Sequence, residues 1–94
     1  MTKKEDDFYK KLKNELIDTT VFPTDYMYKF IIPNKKELKI QVENIFNFEG
    51  AVIKSKTSKT NKFLSLTILV KVKSADQVIK IYKEASQVEG IISL

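Results

Sequence analysis

Two stretches of the chain alternate between apolar or aromatic residues and other residues, with the two-residue period of a half-buried β-strand. Within residues 26–32, every even-numbered residue has a large apolar or aromatic side chain. Within residues 63–72, every even-numbered residue has an aliphatic side chain. Successive side chains of a strand point to opposite faces. The even-numbered side chains are therefore expected in the core, and the odd-numbered ones on the other face.

Weaker patterns predict two further strands. Residues 51–57 are expected to form a strand with Ile53 facing inward, and a short polar turn joins it to the strand at 63–72 as a hairpin. Residues 91–94 are short, apolar and β-prone, as a final strand would be.

A helix is predicted between the first two strands. Pro33 ends the preceding strand, and Asn34 is expected to be the N-cap, its side chain accepting a backbone N–H of the first turn near Glu37. Gly50 is placed to end the segment. The apolar side chains that recur at three- and four-residue spacing are Leu38, Val42, Ile45 and Phe46.

A second helix is predicted after residue 73, starting with a capping box. In this motif Ser74 accepts the backbone N–H of Gln77, and the side chain of Gln77 reaches back to the backbone of Ser74. Gly90 is expected to stop the helix or to form the turn just beyond it. The predicted buried stripe consists of Val78, Ile81, Tyr82 and Ala85.

Residues 1–18 are predicted to be an appendage to a domain at 19–94. Residues 1–7 are highly charged and expected to be mobile, and a short amphipathic helix follows that ends near Ile17. Its narrow apolar stripe has three possible partners: its own domain, a second copy or another protein. The first is the commonest outcome. The stripe consists of Phe8, Leu12 and Leu16.

The order strand, helix, strand, strand, helix, strand predicts an α+β fold of the ferredoxin-like βαββαβ type. Right-handed crossovers place both helices on one face of a four-stranded antiparallel sheet, and the N-terminal helix is added to this unit. The other sheet face stays open, and it is either a solvated surface or a binding surface. The candidate binding residues on it are Met27, Lys29, Ile31, Lys54, Lys56, Phe63, Thr67, Leu69 and Lys71.

The charge distribution points to this same region of the chain. All 17 positive charges are lysines, and against 12 acidic residues they leave a net charge of +5. The excess lies within residues 26–73, where ten lysines face three acids. An anionic partner and a solvated basic surface both fit this pattern. The lack of arginine argues against a dedicated nucleic-acid reader, since lysine cannot form two parallel hydrogen bonds to phosphate or guanine.

The residue types in the chain exclude several kinds of chemistry. Without Cys or His there are no disulfides, zinc-finger sites or Ser-His relays, and two glycines are too few for a phosphate-binding P-loop. We expect no catalytic residues, metal or cofactor, and hence no enzyme. No apolar run approaches the roughly 18 residues that span a bilayer, and the N-terminus has no signal-peptide pattern, so a cytoplasmic location is expected.

The sequence also resembles a known family. Phe22-Pro23-Thr24 followed by Tyr28-Lys29, together with the pattern of elements over residues 20–94, resembles the YbeD-like proteins. These are small bacterial proteins of unknown function whose ferredoxin-like fold is similar to that of regulatory ACT domains. The resemblance implies a regulatory role and no catalytic residues. ACT effector sites usually use a glycine where the first strand meets the first helix. Residues 32–34 are Ile-Pro-Asn here, so amino-acid binding of that kind is not expected.

The leading hypothesis is therefore a non-catalytic regulatory or adaptor module that acts through protein–protein contacts or self-association. The second strand, at the sheet margin, offers a further route through edge pairing. The alternative is weak binding of RNA or another anionic ligand on the open face, since the RNA-recognition motif shares this topology. That motif stacks bases on aromatic residues, and Phe63 is the only aromatic residue expected on this face.

Overall fold

The order of helices and strands along the chain is the one that the sequence pattern predicts. The computed structural model describes residues 3–47 and 50–94. Its helices are α1 (Lys3–Thr19), α2 (Lys36–Ile45) and α3 (Ala75–Ala85), and its strands are β1 (Thr24–Pro33), β2 (Val52–Thr57), β3 (Phe63–Val72) and β4 (Ile92–Ser93).

The strands form one antiparallel sheet in the order β2-β3-β1-β4. The two alternating segments, β1 and β3, are its central strands and pair along their whole length, from Thr24 opposite Val72 to Pro33 opposite Phe63. β2 pairs with the outer side of β3, and β4 pairs with only two residues of β1. The ferredoxin-like α+β fold with an additional N-terminal helix is thus confirmed.

The core lies between the sheet and the helices, on the side that the alternation predicts. Tyr28, Phe30 and Ile32 of β1 have no exposed surface, and the same holds for Leu66 and Ile68 of β3. Val42 of α2 and Val78 of α3 are equally buried. Apart from the hydroxyl of Tyr28, the buried residues of the described chain carry no polar or charged side-chain group. The period of two therefore determines both the strands and the face that the helices cover.

A cluster of tyrosines connects α3 to β1 through hydrogen bonds and ring packing. The Tyr28 hydroxyl donates to the carbonyl oxygen of Val78 at 3.2 Å, and the hydroxyls of Tyr26 and Tyr82 lie 2.9 Å apart. The ring of Tyr28 also packs on that of Phe46, with the ring centres 5.2 Å apart. Burial raises the pKa of both Tyr28 and Tyr82 well above the usual tyrosine value.

The start of α2 differs from the prediction. Lys35 is its N-cap, and no side chain caps the helix. Asn34 was expected to fill this role, but its amide nitrogen Nδ2 donates to the carbonyl oxygen of Asn61, 3.0 Å away. The helix also ends earlier than expected, at Ile45, whereas Gly50 lies in the following turn with φ +93°. Phe48 and Glu49, which the predicted helix reached, lie outside the described residues.

The capping of α3 is confirmed in part. Ser74 is the N-cap, and its Oγ accepts the backbone N–H of Gln77 at 3.2 Å. The side chain of Gln77 reaches one residue further back than expected and accepts the N–H of Lys73. α3 ends at Ala85, so Gly90 belongs to the turn beyond the helix, where its φ is +74°.

Helix α1 packs against α3 of its own domain. Leu16 is buried and Leu12 is partly buried, as predicted, but Phe8 is 62% exposed and Tyr9 packs on the core in its place. Residues 3–7 are helical rather than a loose tail, and residues 1–2 lie outside the described residues. Ile79 of α3, which is 7% exposed and was absent from the predicted stripe, lines a cavity together with Tyr9 and Lys13 of α1.

Polar contacts accompany this packing. The ammonium group of Lys13 lies 2.6 Å from a carboxylate oxygen of Asp76, and that of Lys83 lies 5.5 Å from the ring centre of Tyr9. Both contacts join α1 to α3. Because the Lys13 and Asp76 side chains are 41% and 73% exposed, the ion pair contributes little to stability.

Candidate binding face

The face of the sheet that α2 and α3 leave uncovered carries the odd-numbered side chains of β1 and β3. Residues directly opposite each other on antiparallel neighbours point to the same face, so the strand register assigns the members of this open face. They are Asp25, Met27, Lys29 and Ile31 of β1, Phe63, Ser65, Thr67, Leu69 and Lys71 of β3, Val52, Lys54 and Lys56 of β2, and Ile92 of β4.

Every residue predicted to bind a partner lies on this open face, and the predicted sidedness is correct. Their role in binding stays a prediction. The register also places Asp25, Val52 and Ile92 on the face, and none of these was among the predicted residues. Because Ile53 was expected to face inward, the alternation implies an outward Val52, although Val52 was not among the candidate residues. Ile92 follows Ile91, and no alternation marks which of these two faces outward.

At one end of the open face, three apolar side chains form a continuous row across three strands. Leu69 of β3 lies opposite both Met27 of β1 and Val52 of β2. Their side chains are 42%, 51% and 53% exposed, respectively. We call these three residues the apolar row. Contiguous exposed apolar surface of this kind is typical of an interaction site, whereas single exposed apolar residues need no explanation.

The next position along each strand carries lysine or threonine. Lys29 and Lys54 lie on either side of Thr67, each directly opposite it in the register. Two strand spacings, about 10 Å, separate the two lysine positions, which is about one Debye length at physiological salt. Their mutual repulsion is therefore weak, while their fields add for an anion that approaches both.

Two more lysines lie on the open face, and one carboxylate opposes them. Lys56 of β2 lies opposite Ser65, whereas Lys71 of β3 lies opposite Asp25 of β1 at the end of the sheet. Asp25 is the only acidic residue among the described residues of this face. The open face as a whole is thus positively charged.

The face lacks the features of two common kinds of site. Among the described residues of the open face, Phe63 is the only aromatic one. The face therefore lacks the group of aromatic side chains on which RNA bases stack. Within residues 3–47 and 50–94, no three His, Cys, Asp or Glu residues group closely enough to hold a metal ion. None of the helices over the same residues is long and apolar enough to cross a membrane.

Comparison with known proteins agrees with this fold. Residues 18–94 match the family described as protein of unknown function (DUF493). The chain belongs to this family. The match leaves out nearly all of α1, and no curated protein matches the chain.

Two solved structures are similar. The solution structure of protein HP0495 from H. pylori shares 25% identity with a TM-score of 0.62, over 81% of this chain and 86% of that one. The ACT domain from GTP pyrophosphokinase of Chlorobium tepidum shares 14% identity with a TM-score of 0.53, over 76% of this chain and all of that one. At that identity the second likeness concerns the fold alone. The resemblance noted in the sequence, to proteins of unknown function with an ACT-like fold, is confirmed.

Proposed function

We propose that this protein is a non-catalytic regulatory or adaptor module that binds an acidic partner protein through its open face. The apolar row carries the proposal, because Met27, Leu69 and Val52 place half-exposed apolar side chains side by side on a sheet surface that no helix covers. The core of a protein interface is typically built from such residues and is surrounded by a polar rim. The ACT-like fold is compatible with a regulatory module.

The charges of the open face favour an acidic partner over a second copy. Packing two copies face to face would bring Lys29, Lys54, Lys56 and Lys71 of each copy close to those of the other, with Asp25 alone to offset them. Like charges brought together in an interface cost several kcal/mol. An acidic surface avoids this cost. The lysines would speed its approach, while the apolar row would supply the buried contacts that hold it.

Affinity capture from the native cell extract tests this proposal with a matched pair of variants. Leu69→Glu puts a negative charge into the apolar row, and Ile40→Glu makes the same change on α2, where Ile40 is 44% exposed against 42% for Leu69. The expected result is an acidic protein that the wild-type chain and Ile40→Glu retain, that Leu69→Glu loses, and that moderate salt releases. Equal retention by both variants would overturn the proposal, and so would capture of nothing but the chain itself.

A further inference from the structure

A second feature of the open face lies at the end away from the apolar row. Next to the β2–β3 hairpin loop there is a cavity of about 280 Å³. Its volume is close to the lower limit of ligand pockets, roughly 300 Å³, and suits one ring or a short chain rather than a nucleotide or a peptide. We call it the hairpin pocket. It is lined by Ile31, Lys56, Thr57, Ser58, Lys59, Phe63 and Ser65.

The two apolar side chains of the hairpin pocket are Ile31 and Phe63. Ile31 is half-buried on β1, and Phe63 is 47% exposed at the start of β3. They lie on diagonally related positions of the paired strands, since Ile31 is opposite Ser65 and Phe63 is opposite Pro33. An exposed aromatic ring beside an aliphatic side chain offers a flat apolar surface on which a small apolar group can pack.

Hydrogen bonds hold the loop that borders the pocket in one conformation. Ser58 and Phe63 bond twice: the Ser58 N–H donates to the Phe63 carbonyl oxygen at 2.9 Å, and the Phe63 N–H donates to Ser58 Oγ at 3.1 Å. From the neighbouring strand end, Asn34 donates its side-chain amide to the Asn61 carbonyl and its backbone N–H to the Lys62 carbonyl. A ligand would therefore find the loop already ordered, which lowers the entropic cost of binding.

The charged groups that line the pocket are all positive. The lining includes two lysines, Lys56 and Lys59, and two serines, Ser58 and Ser65, and it includes no Asp or Glu. The lining also has no arginine and no glycine, the residues with which proteins most often build planar or backbone recognition of phosphate. A pocket with two lysines and an apolar surface suits a singly charged anion that also carries an apolar group.

We propose that the hairpin pocket binds a small monocarboxylate that carries an aromatic or short aliphatic group. This group packs on Ile31 and Phe63, and the carboxylate lies between the ammonium groups of Lys56 and Lys59. This site is separate from the apolar row. The pocket shares Lys56 with the charged surface of the open face but none of the residues of the apolar row, so variants at Leu69 and at Lys59 distinguish the two proposals.

Titration of the full chain by two-dimensional ¹H–¹⁵N NMR tests the pocket with three probes. Phenylacetate has the charge and the ring, phenylacetamide keeps the ring without the charge, and acetate keeps the charge without the ring. We expect phenylacetate to bind at least about tenfold more tightly than either control, because phenylacetamide lacks the attraction to the two lysines and acetate lacks the ring that packs on Ile31 and Phe63. Its largest shifts should fall on the amides of the residues that line the pocket, such as Ile31, Lys59 and Phe63. Equal binding of all three probes, or shifts centred on Met27 and Leu69, would overturn the proposal.

Variants locate the binding groups. Lys59→Glu is expected to weaken phenylacetate binding by about tenfold or more, and Phe63→Ala by a similar factor. Lys80→Glu makes the same charge change on the exposed surface of α3 and is expected to leave binding unchanged. If Lys80→Glu weakened phenylacetate binding as much as Lys59→Glu, the effect would come from the net charge of the protein, and a specific binding site at the pocket would be contradicted. Leu69→Glu should leave phenylacetate binding intact, so failure of the pocket is distinguishable from failure of the protein-binding role.

Discussion

Gly90 packs directly against Pro33. A Cβ atom added to Gly90 would lie 2.8 Å from Cγ of Pro33 and 3.0 Å from its Cδ, closer than packed carbon atoms approach. The φ of Gly90, +74°, is also one that residues with a side chain rarely adopt. This contact joins the turn before β4 to the end of β1.

Gly90→Ala is therefore expected to lower the free energy of unfolding by about 2 to 3 kcal/mol, from backbone strain and steric overlap together. Gly50→Ala is the matched control. Gly50 has a similar φ, +93°, but no described residue other than its chain neighbours lies within 4 Å of its added Cβ, so only the backbone cost of about 1 kcal/mol is expected. Urea unfolding of both variants measures the difference, and equal losses would show that the contact with Pro33 is unimportant.

The hydrogen bond between the hydroxyls of Tyr26 and Tyr82 is expected to couple the two residues energetically. Tyr26→Phe and Tyr82→Phe should each lower the free energy of unfolding by about 1 kcal/mol, because each removes the bond and leaves one hydroxyl without its partner. The double variant should lose clearly less than the sum of the two. A thermal or urea double-mutant cycle measures this, and strict additivity would contradict the bond.

Stability is expected to fall at alkaline pH because of the buried tyrosines. Burial raises the pKa of Tyr28, and the hydroxyls of Tyr82 and Tyr26 raise it further. The folded state thus keeps a proton that the unfolded state loses above a pH of about 10, so the free energy of unfolding is unaffected below that pH and decreases above it.

Urea unfolding from about pH 8 to about pH 11.5 checks this expectation. Tyr28→Phe should show a shallower decrease than the wild-type chain, since it has one fewer tyrosine that stays protonated only in the folded state. Lysine ionisation is common to both proteins and does not affect the comparison. Identical pH profiles would count against the raised pKa of Tyr28.

Apolar contacts rather than charges are expected to hold α1 on the domain. Leu16 is 8% exposed within the core, so Leu16→Ala should cost about 2 to 3 kcal/mol of the free energy of unfolding. Lys13→Ala, which removes the ion pair with Asp76, should cost less than about 1 kcal/mol. Phe8→Ala serves as a control for an exposed residue and should have little effect. A larger loss for Lys13→Ala than for Leu16→Ala would reverse this account.

Much of the fold can be predicted from the sequence because long strands have a simple period. Alternation along β1 and β3 predicts which side chains are buried, and with it the membership of the open face in those strands. Alternation alone does not show which residues of neighbouring strands lie side by side. The inward position predicted for Ile53 implies that Val52 faces outward, but its place beside Leu69 comes only from the strand pairing. The apolar row, which spans three strands, therefore becomes visible only with the strand register.

Other features depend on contacts between distant parts of the chain. The local pattern assigns Asn34 to a helix cap, but a carbonyl group 27 residues away accepts its side-chain N–H instead. The same contact orders the loop beside the hairpin pocket, so no local sequence pattern indicates that cavity. Ile79 is 7% exposed on α3, the helix on which α1 packs. Predicting this burial requires knowing which surface an amphipathic helix covers.

Photo-crosslinking in the native cells tests the role of the open face most directly. A photoreactive amino acid replaces Leu69 in one chain and Ile40, on the opposite side of the domain, in another. We expect a crosslink to an acidic protein from position 69, which is absent from position 40 and weakened when Lys29 and Lys54 are both changed to Glu. A partner crosslinked equally from both positions, or no crosslink from position 69, would contradict this expectation.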